Sequence, residues 1–338
     1  MKNRFLAACC AVAGAAAPAF AAPVSFDWVT VGDAGNPAHS TGFGAVGYEY
    51  RIAKHEVTNA QYGAFLNAVD PNGTDTRNLY AAGIMNSGRG GIVRDTSNAT
   101  GSKYELKTDF VNKPVIGVSF NSAMRFVNWL DNGQGAGGTE TGVYTITDGV
   151  SETRAANASY YIPNEDEWVK AAYYEPGASG DGYWEYATQS DSTPTAATAT
   201  ATGDIANPGS NVVNYNQTAD WFGQTSGNVT TVGSADDPNT TAIESASHYG
   251  TFDQSGNVWE WTEKLNDSDQ RSVRGGSFAD TWQGQLRVDR TIPHSDPDLQ
   301  NQFRGFRVAA VIPEPGSIAL LSVGAALMLS RSVRQRKA

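Results

Sequence analysis

The sequence predicts a mixed α+β domain with few helices, short strands and much irregular loop. Three observations carry this reading. Three capped stretches have helical apolar periodicity, one run has the alternation of a hairpin, and the remainder is rich in glycine, with 36 in 338 residues.

The first predicted helix opens at Thr58-Asn59-Ala60-Gln61. Thr58 caps it and Gln61 reaches back, as in a capping box. Tyr62, Phe65, Leu66 and Val69 then recur at i, i+3, i+4 and i+7 on one face, and Asp70-Pro71-Asn72-Gly73 stops the helix. The second follows the extended apolar run Pro114–Val118, with Ser119 as N-cap, Ala123, Phe126, Val127 and Leu130 as its stripe, and Gly133 as its end. Asn164 caps the third, with Glu167 three residues on; Trp168, Ala171 and Ala172 face inward and Pro176 terminates it. Residues 133–160, with Val143-Tyr144-Thr145-Ile146, read as a hairpin. Residues 190–211, rich in Thr, Ala, Ser and Pro, read as a surface loop. No repeat or linker is visible, so the chain between its ends reads as one compact unit.

The ends carry their own signals. Lys2 and Arg4, the apolar stretch 5–17 and Ala19-Phe20-Ala21 form a secretory signal with cleavage after Ala21 or Ala22, giving 1–21 as signal peptide. Leu6-Ala7-Ala8-Cys9 is not a lipobox, because the apolar run follows Cys9. Cys9 and Cys10 are the only cysteines. The exported protein would therefore have no disulfide, thiolate metal site or cysteine nucleophile. At the other end, Pro313-Glu314-Pro315 precedes the apolar run 317–329 and the basic residues Arg331, Arg334, Arg336 and Lys337. A span usually needs about 20 apolar residues. The run is thus a short membrane helix whose basic tail favours a cytoplasmic C-terminus. A net charge of −11 argues against nucleic acid or anionic lipid as a partner. Acidic loops are also places where calcium binds.

The C-terminal region 312–338 resembles a PEP-CTERM sorting signal. That implies transient anchoring in the inner membrane of a Gram-negative bacterium, cleavage by an exosortase, and release to the cell surface or matrix; a plain C-terminal anchor is the alternative. Six segments between residues 27 and 310 resemble the formylglycine-generating enzyme (sulfatase-modifying factor) family. They are Glu56–Tyr62, Pro114–Phe120, Ile162–Trp168, Gly256–Trp261, Arg274–Phe278 and Gly305–Arg307, in the family's order. The resemblance implies a variant of the C-type-lectin-like fold.

It also implies sites. The positions matching Asp253, Gly256, Val258 and Glu260 bind calcium in the family, the middle two through carbonyls. Two carboxylates across a Gly-bearing turn suit such a hard cation, which takes six to eight oxygens. The alternative is a plain turn with both acids solvated. Asn214 and the carbonyl of Tyr215 match part of a second calcium site. The family's enzymes oxidise a substrate cysteine through two cysteines that hold copper, and those positions correspond here to Asp280 and Gln285. No catalytic residue is therefore expected, and neither copper nor iron. Ser277 is retained but reads as structural. His39, His55, His248 and His294 form no metal-binding pair, and His55 reads as a packing residue. Between the scaffold motifs, Ser277, Asp280, Trp282, Gln285, Arg287, Arg290 and His294 are candidates for a binding surface toward an unknown extracellular ligand. The alternative there is a solvated loop with its arginines paired to Asp280, Asp289 and Asp296. Two functions follow: a calcium-stabilised binding or structural module without turnover, or an oxidoreductase using a non-cysteine metal site built from Asp280, Gln285 and His294.

Overall fold

The computed structural model describes residues 23–313, apart from 179, 237–238, 240–243 and 291–292. The secretory signal, and the sorting signal beyond residue 313, fall outside the described residues.

The three expected helices form where their caps place them. Strands β1 (Trp28–Val31) and β2 (Tyr50–Ala53) lead into helix α1 (Asn59–Val69). The Thr58 hydroxyl accepts the Gln61 N–H, and the Gln61 side-chain oxygen accepts the Thr58 N–H at 2.9 Å. A short helix α2 (Ala82–Met85) and strands β3 (Ile92–Arg94) and β4 (Tyr104–Leu106) precede α3 (Phe120–Asp131). There Ser119 accepts from the Ser122 N–H at 3.1 Å. After β5 (Tyr160–Tyr161), α4 (Glu165–Tyr173) opens on a second complete capping box, Asn164 with Glu167. Each such cap stabilises its helix by about 1 kcal/mol. Short strands follow: β6 (Thr195–Ala196), β7 (Val212–Val213), β8 (Trp259–Leu265), β9 (Arg271–Arg274), β10 (His294–Ser295), β11 (Arg304–Gly305) and β12 (Ala309–Ala310).

Two four-stranded sheets organise the unit, in the orders β1-β2-β12-β5 and β10-β9-β8-β11. In the first, β12 pairs antiparallel with both β2 and β5. In the second, β11 runs parallel to β8. The main core is aromatic. Phe126 of α3 lies 5.4 Å from Phe65 and 5.9 Å from Tyr62, both on α1, and 5.3 Å from Phe306 between β11 and β12. All four are fully buried. Stacked and edge-on rings of this kind add about 0.5–1.5 kcal/mol per pair beyond area burial.

Two expectations are corrected. Residues 133–159 contain no strand, so the hairpin is absent. Val143 and Tyr144 are buried, but their stretch is held by a side chain and isolated backbone bonds instead of a partner strand. The Asn128 amide accepts the Tyr144 N–H at 2.8 Å and donates to the carbonyls of Thr139 and Tyr144 at 2.8 and 2.9 Å. That buried amide, with backbone bonds from the Ala155 N–H to the Val143 carbonyl and from the Ile146 N–H to the Glu140 carbonyl, both at 2.9 Å, takes the place of a regular second strand. The 190–211 segment is also more than a surface loop. Its β6 pairs parallel with β7, and Ala197 and Ile205 form a small core with Val212 and Ala235.

Candidate functional site

The turn 253–260 is built from left-handed backbone. Asp253, Gly256 and Asn257 have φ of 64°, 91° and 57°. A side chain at Gly256 would place its Cβ 2.5 Å from the Asn214 carbonyl oxygen, so glycine permits this approach. The Asn257 N–H donates to that same carbonyl at 2.8 Å, and the Gly256 N–H to the Gly275 carbonyl at 2.8 Å. The two candidate calcium segments, 214–215 and 253–260, therefore pack against each other and against the Gly275-Gly276-Ser277 segment.

Glu260 is fully buried on β8. Its oxygens accept from Arg307 Nη2 at 2.7 Å and Nε at 2.8 Å, and Trp168 Nε1 adds a third bond at 2.8 Å. Arg307 also donates to the carbonyls of Ala53, Lys54 and Phe252. Glu260 is thus no solvated turn acid. Asp253 Oδ2 accepts the Gly233 N–H at 2.6 Å. Burial pushes its carboxyl up to about 6, against the pull of that bond and of Arg307.

A third acid joins them. Glu56 is 1% exposed, and neither carboxylate oxygen has a hydrogen-bond partner. Burial, then the charges of Asp253 and Glu260, drive its pKa well above the usual carboxylate range. Three acids here share the field of the Arg307 guanidinium. Unless protonated, they leave excess negative charge, which inside a protein calls for a proton or a cation. Among the described residues, no three His, Cys, Asp or Glu side chains can hold a metal by themselves. A cation at this turn would accordingly need backbone or amide oxygens.

Asn214 supplies one such oxygen. Its amide N–H groups donate to the Asn228 carbonyl at 2.9 Å, Thr230 Oγ1 at 3.1 Å and Asn257 Oδ1 at 3.2 Å. Its own Oδ1 is buried without a partner. The Tyr215 carbonyl accepts from the Thr218 hydroxyl at 3.2 Å. Oxygen-only donors with orphaned buried members fit a hard cation. Glu56, Arg307, Asn228, Thr230 and Asn257 were not singled out as site residues from sequence. Glu56 and Arg307 stand in the segments Glu56–Tyr62 and Gly305–Arg307, which carried the family resemblance; Asn228 and Thr230 had no local signal.

The second group lies around the Gly-Gly-Ser segment. The Ser277 N–H and hydroxyl both donate to Asp280 Oδ2 at 2.8 Å. Burial raises the Asp280 carboxyl while those two bonds oppose the rise. Ser277 is therefore a turn residue tied to an acid, with its proton already donated. Gln285 accepts from Arg290 Nε. His294 is in β10 and pairs across to Ser272. Arg287 is spent on Glu185 and Asp289. Trp282 is 56% exposed and carries the Arg290 guanidinium over its ring at 5.6 Å. His55 packs beside Phe252 at 5.8 Å, and burial, then Arg307 and Lys54, lowers its pKa to about 4.

Comparison with known proteins places this geometry. The inactive C-alpha-formylglycine-generating enzyme 2 of Bos taurus is 38% identical over 74 residues, 20% of this chain and 24% of the bovine protein. The alignment thus spans about a quarter of that relative's length. A crystal structure of CarF superposes with a TM-score of 0.51 at 21% identity, covering 86% of this chain and 99% of CarF. Treponema denticola variable protein 1 gives 0.48 at 16% identity, covering 86% of this chain and 96% of that one. The CarF likeness establishes the fold. The model of the sulfatase-modifying factor enzyme 1-like domain matches residues 26–312, and the chain belongs to that family.

Proposed function

We propose that this protein is a non-catalytic binding or structural module, exported to the cell surface or matrix and stabilised by calcium. The observation that carries the reading is the state of Asp280 and Gln285. At the positions that resemblance assigns to copper-holding cysteines, one side chain is tied to Ser277 and the other to Arg290. Neither supplies a thiolate. The bovine relative's description as inactive agrees with this.

Calcium would be held by Asp253, Glu260 and the carbonyls of Gly256 and Val258, with Glu56 contributing charge. Asn214 and Tyr215 would serve a second site. Supporting this are the excess of acids over guanidinium and the orphaned oxygens of Glu56 and Asn214. Export rests on residues 1–21, and exosortase processing from the inner membrane on residues 312–338. Among the described residues, no helix is long and apolar enough to cross a membrane.

Two measurements test the reading. Purified protein incubated with a Cys-x-Pro-x-Arg peptide should leave its mass unchanged; conversion to formylglycine ends the non-catalytic assignment. Calcium at 100 times its Kd should stabilise the fold by about 2.7 kcal/mol, removed by chelator. Denaturation curves that coincide with and without chelator refute the calcium assignment.

A further inference from the structure

Residues 311–313 leave the domain at one end of the first sheet. Ala310 of β12 pairs with Arg51 of β2 and with Tyr160 of β5, so the chain runs out beside the segment that leads into β2. A groove of about 450 Å³ opens there, lined by Tyr48, Glu49, Arg154, Ala156, Ile312 and Pro313. Its rim is apolar and exposed: Tyr48 is 48% exposed, Val311 45% and Ile312 39%. Of the seven large hydrophobic side chains exposed among the described residues, three therefore stand at this one place.

Beside the rim, half-buried aromatic and basic side chains cover the sheet. Trp28 stacks on Tyr160 with ring centroids 6.0 Å apart. Arg51 lies over Trp28 at 5.2 Å and donates from Nε to the Val311 carbonyl at 3.2 Å. Indole, phenol and guanidinium groups favour the boundary between water and hydrocarbon, where an apolar body is buried and a polar tip stays wet. Chain length points the same way. Only Glu314-Pro315-Gly316 separates Pro313 from the apolar run that begins at Ser317. Four residue steps reach at most about 14 Å, and the headgroup layer is about 6 Å thick on each side of the hydrocarbon. With the run inserted, the residues around Pro313 stay within roughly 10 Å of the headgroups.

We propose that this end of the first sheet is the membrane-docking face of the domain, its groove and apolar rim seated on the headgroup layer of zwitterionic phospholipid. The proposal rests on the reading of residues 312–338 as an anchoring segment and adds which face of the domain meets the bilayer. Val311, Ile312 and the Tyr48 ring enter the interface, with Trp28 and Tyr160 beside them. Arg51 and Glu49 bring one charge of each sign, matching the phosphate and the ammonium of one headgroup. The net charge of −11 disfavours an anionic leaflet.

Residues 22–338 contain no cysteine, so single introduced cysteines can carry a bimane fluorophore. This chain is reconstituted in phosphatidylcholine vesicles containing a headgroup-nitroxide lipid; flotation reads anchoring and quenching reads contact. The control label is Phe222→Cys. Phe222 packs on Phe110, next to Val111, whose carbonyl accepts the Ala60 N–H at the start of α1, beyond the other end of β2. Labels at Tyr48→Cys and Ala156→Cys should be quenched at least about threefold more than the control, because a domain of this size has a radius of about 19 Å, several times the headgroup layer. Ala156 is an exposed loop position, so its label gives the answer should Tyr48→Cys fold poorly. A chain that floats with Ala156 no more quenched than Phe222 overturns the docking face and leaves the anchor standing. A chain that does not float overturns both. Quenching that rises when phosphatidylglycerol replaces phosphatidylcholine overturns the zwitterionic assignment.

Discussion

Replacing Arg307 by methionine should destabilise the fold more than any surface change, and the structure gives the size. Arg307 and Glu260 are both fully buried, with two bonds of 2.7 and 2.8 Å between them. Removing one member of a buried pair costs about 3–5 kcal/mol, because the other charge stays behind uncompensated. Here the stranded acid would also face Asp253 and Glu56, and three carbonyls would lose a donor. Each unsatisfied acceptor adds about 1 kcal/mol. The total approaches the whole stability of an ordinary domain, about 5–15 kcal/mol. Urea denaturation followed by tryptophan fluorescence should show Arg307→Met losing at least 4 kcal/mol, on the order set by those terms. The double variant Glu260→Gln/Arg307→Met should recover about 3 kcal/mol of that, since its remaining side chain is neutral. If the single variant lost under about 1 kcal/mol, or the double were no better, buried charge would not be what Arg307 neutralises.

Other substitutions probe separate parts of the argument. His55 has a folded-state pKa depressed to about 4, so its contribution is present above pH 6.5 and lost as pH falls through the window down to 4. That amounts to about 3 kcal/mol; thermal unfolding of His55→Gln should be flatter across that window, and an unchanged slope would contradict the burial of the ring. Asn128→Ala should cost about 2–4 kcal/mol through its three buried bonds and free the 139–146 segment to proteases; native-like proteolysis would show that the amide is dispensable. Gly256→Ala combines a positive φ with a backbone contact at 2.5 Å. A loss of about 2–4 kcal/mol is expected, with weakened calcium response, and a stable variant would mean the turn and the Asn214 segment can separate.

Helix positions were legible because their signals are local. Thr58 and Gln61, Ser119, and Asn164 and Glu167 act within one turn, and each forms the bond its spacing implies. The acids of the turn were legible as candidates too, since Asp253 and Glu260 stand in one short segment. Their partners were not. Arg307 lies 47 residues from Glu260, and Glu56 meets Asp253 only once the sheets have assembled. The Val143–Ile146 alternation misled for a similar reason. Alternation reports which side chains are buried, and Val143 and Tyr144 are. It does not say whether a strand or a distant amide satisfies the backbone between them.

The place of β12 governs the order in which the molecule can be assembled. Residues 309–310 fill the space between β2 and β5, so those strands share no neighbour until nearly all of the described chain has been synthesised. Any shorter fragment that lacks β11 and β12 also lacks Arg307, and so would have to bury Glu260 alone. Sheet closure and charge neutralisation thus wait on the same stretch, residues 307–310. A chain of this topology completes its fold late, through contacts of high sequence separation, and such closure is slow. Until then it remains an open polypeptide, which is the state in which a protein can be threaded, held by a chaperone, or lost to proteolysis.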